Sequence, residues 1–128
     1  MNLKDKNYTW DNKKPTAQML GRWQPWHEGH QKLFEETLNK TGQVNIMVRD
    51  VQGVEDNPFD FDTVKKNILE ALKDYGDRVK VTLVPNITNI CYGRGVGYKI
   101  EEIVLDEKTQ QISATKIRAQ MRKDGKLK

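Results

Sequence analysis

The stretch TAQMLGRWQPWHEGHQKLFEETL, residues 16–38, decides how this chain folds. Its opening residues, Thr16 to Leu20, form a short run that reads as a buried first strand. Gly21 to Pro25 continues neither a strand nor a helix well, because proline lacks a backbone donor. From Glu28 onward Leu33, Phe34, Thr37 and Leu38 recur at helical spacing, with Lys32, Glu35, Glu36 and Asn39 facing out. The passage is thus strand, tight junction, helix. The chain's 2 histidines, His27 and His30, stand where that helix begins.

Working outward, the same alternation continues. Val44 to Val48 reads as a second strand. Asp62 to Tyr75 reads as a helix with Val64, Ile68, Leu69 and Leu72 on its inner stripe, started by Asp60 or Asp62 and stopped by Gly76. Val79 to Val84 reads as a third strand, ended by Pro85. Weaker runs predict further strands at Ile87 to Tyr92 and Tyr98 to Leu105, ahead of a last helix near Lys116 to Met121. Alternating strands and helices predict an α/β fold, a Rossmann-like parallel sheet flanked by helices. One small domain is expected over residues 15–128. Residues 1–14, rich in lysine, read as a flexible N-terminal arm whose Tyr8 and Trp10 tuck onto the body. Ligands on such sheets bind beyond the carboxyl ends of the strands.

The chain has 128 residues, 36% of them hydrophobic, with a net charge of +4. That size suits a single core, and the charge leans toward anionic partners. No run is long enough to span a bilayer or to serve as a signal-peptide core, so no membrane partner is expected. Cys91 is the only cysteine. It excludes an internal disulfide and fits a cytoplasmic protein. No Cys/His cluster supports a metal site. Two rival classes stay open. A nucleic-acid module would stack bases on Trp10, Trp23, Trp26 and Tyr98, but the 22 basic residues are scattered among 18 acidic ones rather than gathered in a stripe. A regulatory domain would bind nucleotide without catalysis.

Residues 21–30 carry the chemistry. Two imidazoles beside a helix start can grip an anion through ring N–H groups. The helix N-terminus adds unpaired amides and partial positive charge, and Gly29 lets a backbone approach a bulky ligand. The structural alternative is a helix cap. Ser113-Ala114-Thr115 before the last helix has the same two readings, since caps and phosphate sites use the same amides.

The string Gly21-Arg22-Trp23-Gln24-Pro25-Trp26-His27-Glu28-Gly29-His30 resembles the G-R-x-Q-P-x-H-x-G-H opening of nicotinamide-mononucleotide adenylyltransferases, within the H-x-G-H nucleotidyltransferase superfamily. A second likeness lies at Lys108 to Ile117. It is similar to the R-T-E-G-I-S-T-T-K-I of cytidylyltransferases such as the glycerol-3-phosphate enzymes, agreeing at Thr109, Ile112, Ser113, Thr115, Lys116 and Ile117. The adenylyltransferase form, I-S-S-T-x-I-R, is met at Ile112, Ser113, Thr115, Ile117 and Arg118. The resemblance covers about residues 16–122.

That resemblance implies transfer of an NMP group from an NTP to a phosphorylated small molecule, with release of pyrophosphate. It implies Mg²⁺ accompanying the NTP, held mainly by phosphate oxygens and water, and a homodimer, since small relatives are often dimers. His27, His30, Lys65 and Arg118 would be the catalytic groups. Gly21, Arg22, Trp23, Gln24, Gly29, Gly93, Arg94, Ile112, Ser113, Thr115 and Lys116 would bind the nucleotide. Where cytidylyltransferases carry a G-D-D-W-type loop, this chain keeps Gly93 but puts Arg94 next. Arg49 and Asp50, at the end of the second strand, are the acceptor-side candidates, and the loop Val51 to Phe59, with Gly53 and Pro58, is expected to close over substrate. The 108–117 tail and the short chain favour CTP, while the opening string and the Ile-Arg close favour ATP; the balance tips to CTP.

Overall fold

The structure, a computed structural model, describes residues 3–5, 7–51, 57–95, 97–110 and 112–125. It is an α/β fold: a parallel three-stranded sheet of order β1-β2-β3, flanked by helices. Strand β1 is Ala17–Gly21, β2 is Val44–Arg49 and β3 is Val79–Val84. Helix α1, Glu28–Thr41, connects the first two, and α2, Phe61–Ala71, leads toward the third. The register aligns Ala17, Val44 and Val79 at one end, and sets Gly21 beside Val48 and Val48 beside Leu83 at the other. The carboxyl ends of all strands therefore open on one edge, where the Gly21–His30 segment begins.

Burial follows the period of each element. In β2, Val44, Ile46 and Val48 are fully buried while Asn45 and Met47 on the other face are half-buried. Phe34, Thr37 and Leu38 of α1 are buried, as the helical spacing predicts, and with Met19, Val64, Ile68, Leu72 and Val79 they belong to the buried interior. Each such apolar side chain contributes roughly 1.5–3 kcal/mol on leaving water. Helix α1 ends at Gly42, whose left-handed φ of 90° suits a residue without Cβ.

The second helix is shorter than Asp62 to Tyr75. Asp60 is its N-cap, its carboxylate accepting from the Thr63 amide at 2.8 Å. The α-helix gives way at Leu72 to 3₁₀ turns over Lys73–Arg78, broken at Gly76 with φ 53° and ψ −128°. Leu69 does not join the inner stripe. It is 41% exposed, because the i, i+4 row Val64, Ile68, Leu72 already faces the core.

The strands expected at 87–92 and 98–105 do not form. Among the described residues, 85–106 hold no regular element. Ile90, Tyr92, Ile100 and Val104 are 55%, 59%, 59% and 75% exposed. Alternation alone does not supply a neighbouring edge. Here Pro85, the glycines at 93, 95 and 97 and local side-chain bonds such as Thr88 to Asn89 compete with pairing. The segment is tied back to α1 by Lys40 and Glu101 at 3.7 Å.

Before β1, fully buried Gln43 anchors the leading segment. Its Oε1 accepts from the Tyr8 hydroxyl (2.7 Å) and the Asp11 amide (3.3 Å), while its Nε2 donates to the Asp11 carbonyl (2.8 Å) and to Thr16 Oγ1. The Arg78 guanidinium lies 3.9 Å from the Tyr8 ring centre and Lys80 4.8 Å from that of Trp10. Tyr8 and Trp10 thus tuck onto the body. Lys6 of this arm, and Gly53 with its neighbours 52–56, lie outside the described residues.

Candidate functional site

The junction after β1 is held before it reaches the histidines. Trp23 takes a left-handed φ of 55°, rare for a residue with a side chain. Its ring lies over Gly21, where a Cβ would stand 2.8 Å from the indole. Its Nε1–H donates to the Met47 carbonyl at 3.2 Å. Gln24, 2% exposed, accepts from the Phe59 amide and donates to the Phe59 carbonyl, both at 2.9 Å.

His27 is the N-cap of α1, and it caps with its ring. Nδ1 accepts from the amides of Gly29 (3.0 Å) and His30 (3.3 Å). His30 returns the bond: its Nδ1 accepts from the His27 amide at 3.2 Å, closing a reciprocal capping box. The two imidazoles stack at 3.5 Å between centres, 19° from parallel. Gly29 makes this possible. A Cβ there would lie 2.9 Å from Cε1 and 3.1 Å from Nδ1 of His27.

With both Nδ1 atoms accepting, each neutral ring carries its proton on Nε2. No described residue hydrogen-bonds either Nε2, so the pair offers two N–H donors from one helix start. Burial lowers the His27 pKa. Burial first, and then the neighbouring His27, push His30 down to about 3. At neutral pH this is a pair of uncharged donors. The arrangement also changes the reading of the helix terminus as a set of waiting amides. The Gly29 and His30 amides are already occupied by His27, which leaves the imidazole Nε2–H groups as the outward donors of the pair. Trp23 stands edge-on to His30 at 4.7 Å and Trp26 tilts against it at 5.4 Å. Buried Trp23 has no free face for stacking on a base.

The distant motif arrives at the same place. Helix α4, Ala114–Lys123, is capped by Ser113, whose hydroxyl accepts from the Lys116 amide at 3.5 Å. From α4 the buried Arg118 donates through Nη1 to the Gln24 carbonyl at 2.6 Å and through Nη2 to Thr115 Oγ1 at 3.4 Å. Two segments 94 residues apart therefore meet at one guanidinium. The short helix α3, Glu107–Gln110, closes the gap: Asp106 accepts from the Thr109 amide at 2.7 Å, and the Thr109 carbonyl lies 3.7 Å from where a Gly29 Cβ would be. Ile112 is half-buried, its amide bonded to the Thr109 carbonyl; Thr115 and Lys116 are exposed. Gln111 of this motif lies outside the described residues.

The other candidates are placed as follows. Arg22 is exposed beside Trp23. Arg49, at the end of β2, donates to Asn86 Oδ1 at 2.8 Å, and exposed Asp50 donates its amide to the Val84 carbonyl at 2.9 Å. Lys65 is exposed on α2, 6.0 Å from the Phe61 ring centre, on a shallow groove with Asp62, Lys66, Leu69 and Glu70. No described contact joins it to the histidines. Gly93 and Arg94 are exposed in a loop held by its own ends: Tyr92 and Tyr98 pack edge to face at 5.7 Å, and the Tyr98 hydroxyl donates to the Arg94 carbonyl at 3.0 Å. Sequence reasoning missed Phe59 and Asp106 as supports. Asp106-x-x-Thr109 is a legible capping spacing, whereas Phe59 contributes only backbone atoms and leaves no signal.

Fold and site together define an α/β protein of Rossmann-like type, with a paired imidazole at the carboxyl edge of its sheet. No family model matches the chain. Over 61 residues, 46% of this chain, it is 34% identical to the nicotinamide-nucleotide adenylyltransferase of Methanococcus aeolicus, and the match spans 36% of that protein. The chain thus matches about a third of the length of this curated relative, and the likeness supports a relationship to the nucleotidyltransferases. No helix among the described residues is long and apolar enough to cross a membrane.

Proposed function

We propose that the chain transfers a nucleotidyl group from an NTP to a phosphorylated small molecule. The acceptor phosphate oxygen forms a bond to the α-phosphorus, the bond to the pyrophosphate oxygen breaks, and pyrophosphate leaves. No protein nucleophile is needed, so catalysis is positioning and charge stabilisation. One observation carries this reading: stacked His27 and His30 keep both Nδ1 atoms on backbone amides and leave both Nε2–H groups for a polyanion. Neutral donors held in place stabilise charge as it grows on the transferred phosphate and the leaving group. Ser113, Thr115 and Lys116 meet the outer phosphates at the start of α4. Arg49 and Asp50 serve the acceptor, and Gly93 and Arg94 the nucleoside.

The nucleotide placed first is ATP, with a mononucleotide as acceptor, because the relative bears an adenylyltransferase name. CTP, favoured by the 108–117 tail, is the second arm of the same assay. Among the described residues no cluster of His, Cys, Asp and Glu could hold a metal ion. The histidine Nδ1 lone pairs are spent on amides, so this donor set does not fit a protein-held Mg²⁺. The ion belongs to the NTP as substrate.

The test is pyrophosphate release with each NTP against phosphorylated alcohols, sugars, phosphonates and mononucleotides, followed by His27→Asn and His30→Asn. Asparagine keeps an acceptor near Nδ1 and lacks the Nε2–H. A fall in kcat of about 10²–10³ with NTP binding little changed is expected. A kcat untouched by either substitution removes that ring from the mechanism.

A further inference from the structure

We infer that Gln24 and Arg118 are positioning residues, a buried strut that fixes the histidine pair by bracing the turn before it, rather than ligands of the nucleotide. The inference rests on the function proposed above for its catalytic consequence, and on geometry alone for the strut itself.

The observations converge on one turn. Gln24 is 2% exposed and Arg118 4% exposed, so neither side chain is presented to solvent as a ligand group would be. Both ends of the Gln24 amide are taken by the backbone of Phe59, N–H and C=O, at 2.9 Å each. Its own carbonyl receives Arg118 at 2.6 Å, and the second guanidinium nitrogen is turned to Thr115 at 3.4 Å. The preceding residue, Trp23, sits at φ 55°. A non-glycine residue keeps such a conformation only where its surroundings over-determine it. Three residues after Gln24, His27 starts α1 and sets the ring stack. Gln24 thereby links three parts of the chain around the histidines: the 57–60 turn, the C-terminal helix and the junction after β1. A planar, bidentate cation is the side chain best suited to hold a carbonyl and a hydroxyl at once.

The test uses the full chain with Gln24→Met, Arg118→Met and Arg118→Lys. Ring-proton NMR shifts of His30 report its placement without any need for activity, because Trp23 and Trp26 lie 4.7 and 5.4 Å away and impose ring currents on it. In Gln24→Met and Arg118→Met the His30 shifts should move toward those of a free imidazole, and kcat should fall about a hundredfold, with the NTP Kd, read by tryptophan fluorescence, within about threefold of wild type, a smaller change than loss of a charged hydrogen bond to phosphate would give. Arg118→Lys, which still donates to the Gln24 carbonyl, should bring the His30 shifts back toward the wild-type positions. If Gln24→Met does not fold, Gln24→Glu, which keeps the acceptor for the Phe59 amide, carries the same readout. Unmoved His30 shifts in the folded variants overturn the strut. So does a raised Kd with kcat unchanged, which would make Arg118 a phosphate ligand. Absence of pyrophosphate release with every NTP overturns the proposed function instead, and the His30 shifts then still decide the strut.

Discussion

Acidification should weaken this fold through His30 well before the carboxylates titrate. In the unfolded chain the imidazole takes up a proton near pH 6.5. In the folded protein burial and the stacked His27 hold it neutral down to about 3. Between those values the unfolded state binds the additional proton, so stability is complete above pH 6.5 and is lost as pH falls toward 3. The slope for one such group is about 1.4 kcal/mol per pH unit. From pH 6.5 to pH 5 this amounts to about 2 kcal/mol as an upper figure, with a smaller contribution of the same sign from His27, whose pKa is also lowered. For a chain of this size, with urea m-values of about 1–3 kcal/mol per molar, the midpoint should fall by about 1 M. The assay is urea unfolding followed by tryptophan fluorescence at pH 7.5, 6.5, 5.5 and 5.0. His30→Asn removes this titrating ring while keeping an acceptor for the His27 amide, so over the same range its stability should fall much less than wild type, keeping only the smaller His27 contribution. A wild-type midpoint that does not move between pH 6.5 and 5, or a variant with the wild-type slope, would refute the argument that the ring is held neutral by its packing.

Two further substitutions test supports of the site. Gly29→Ala lies within the first turn of α1, where alanine ordinarily stabilises a helix by about 1 kcal/mol; here the Cβ meets the His27 ring at 2.9 Å, so displacement of the cap should reverse the sign to a loss of about 1 kcal/mol in chemical denaturation. Gln43→Leu fills the same buried space but leaves the Asp11 backbone and the Tyr8 hydroxyl without their partner; it should cost about 2 kcal/mol and speed amide exchange at Asp11, and unchanged exchange there would show that the arm is held by its aromatic contacts alone.

What the sequence disclosed and what it withheld divide along a physical line. Val79–Val84 emerges at its expected bounds, and β1 and β2 within a residue or so, because each is a short apolar run whose neighbours are turn-forming or polar. Asp60 and Ser113 are legible as caps because a cap is a local event between a side chain and amides a few residues on. The runs at 87–92 and 98–105 have comparable apolar content and form no strand, since a strand needs a partner edge and no local pattern records where that edge is. The same limit hid Phe59. Its role lies in two backbone atoms that Gln24 reaches across 35 residues.

Under the proposed function, the cap and the anion site at the histidines are one device rather than competing readings. A ring that caps through Nδ1 must carry its proton on Nε2, so the capping box selects the tautomer that donates outward. It also occupies the Gly29 and His30 amides, so under that proposal the imidazole Nε2–H groups take over their part in receiving the anion. Gly29 is needed because any Cβ would push His27 off those amides, and the stack of the two rings opposes a second charge. His27-Glu28-Gly29-His30 is therefore legible as chemistry only when the spacing, the missing Cβ and the helix start are read together. A pair of histidines at the same spacing in mid-helix would have no free amides to cap and no fixed tautomer to present.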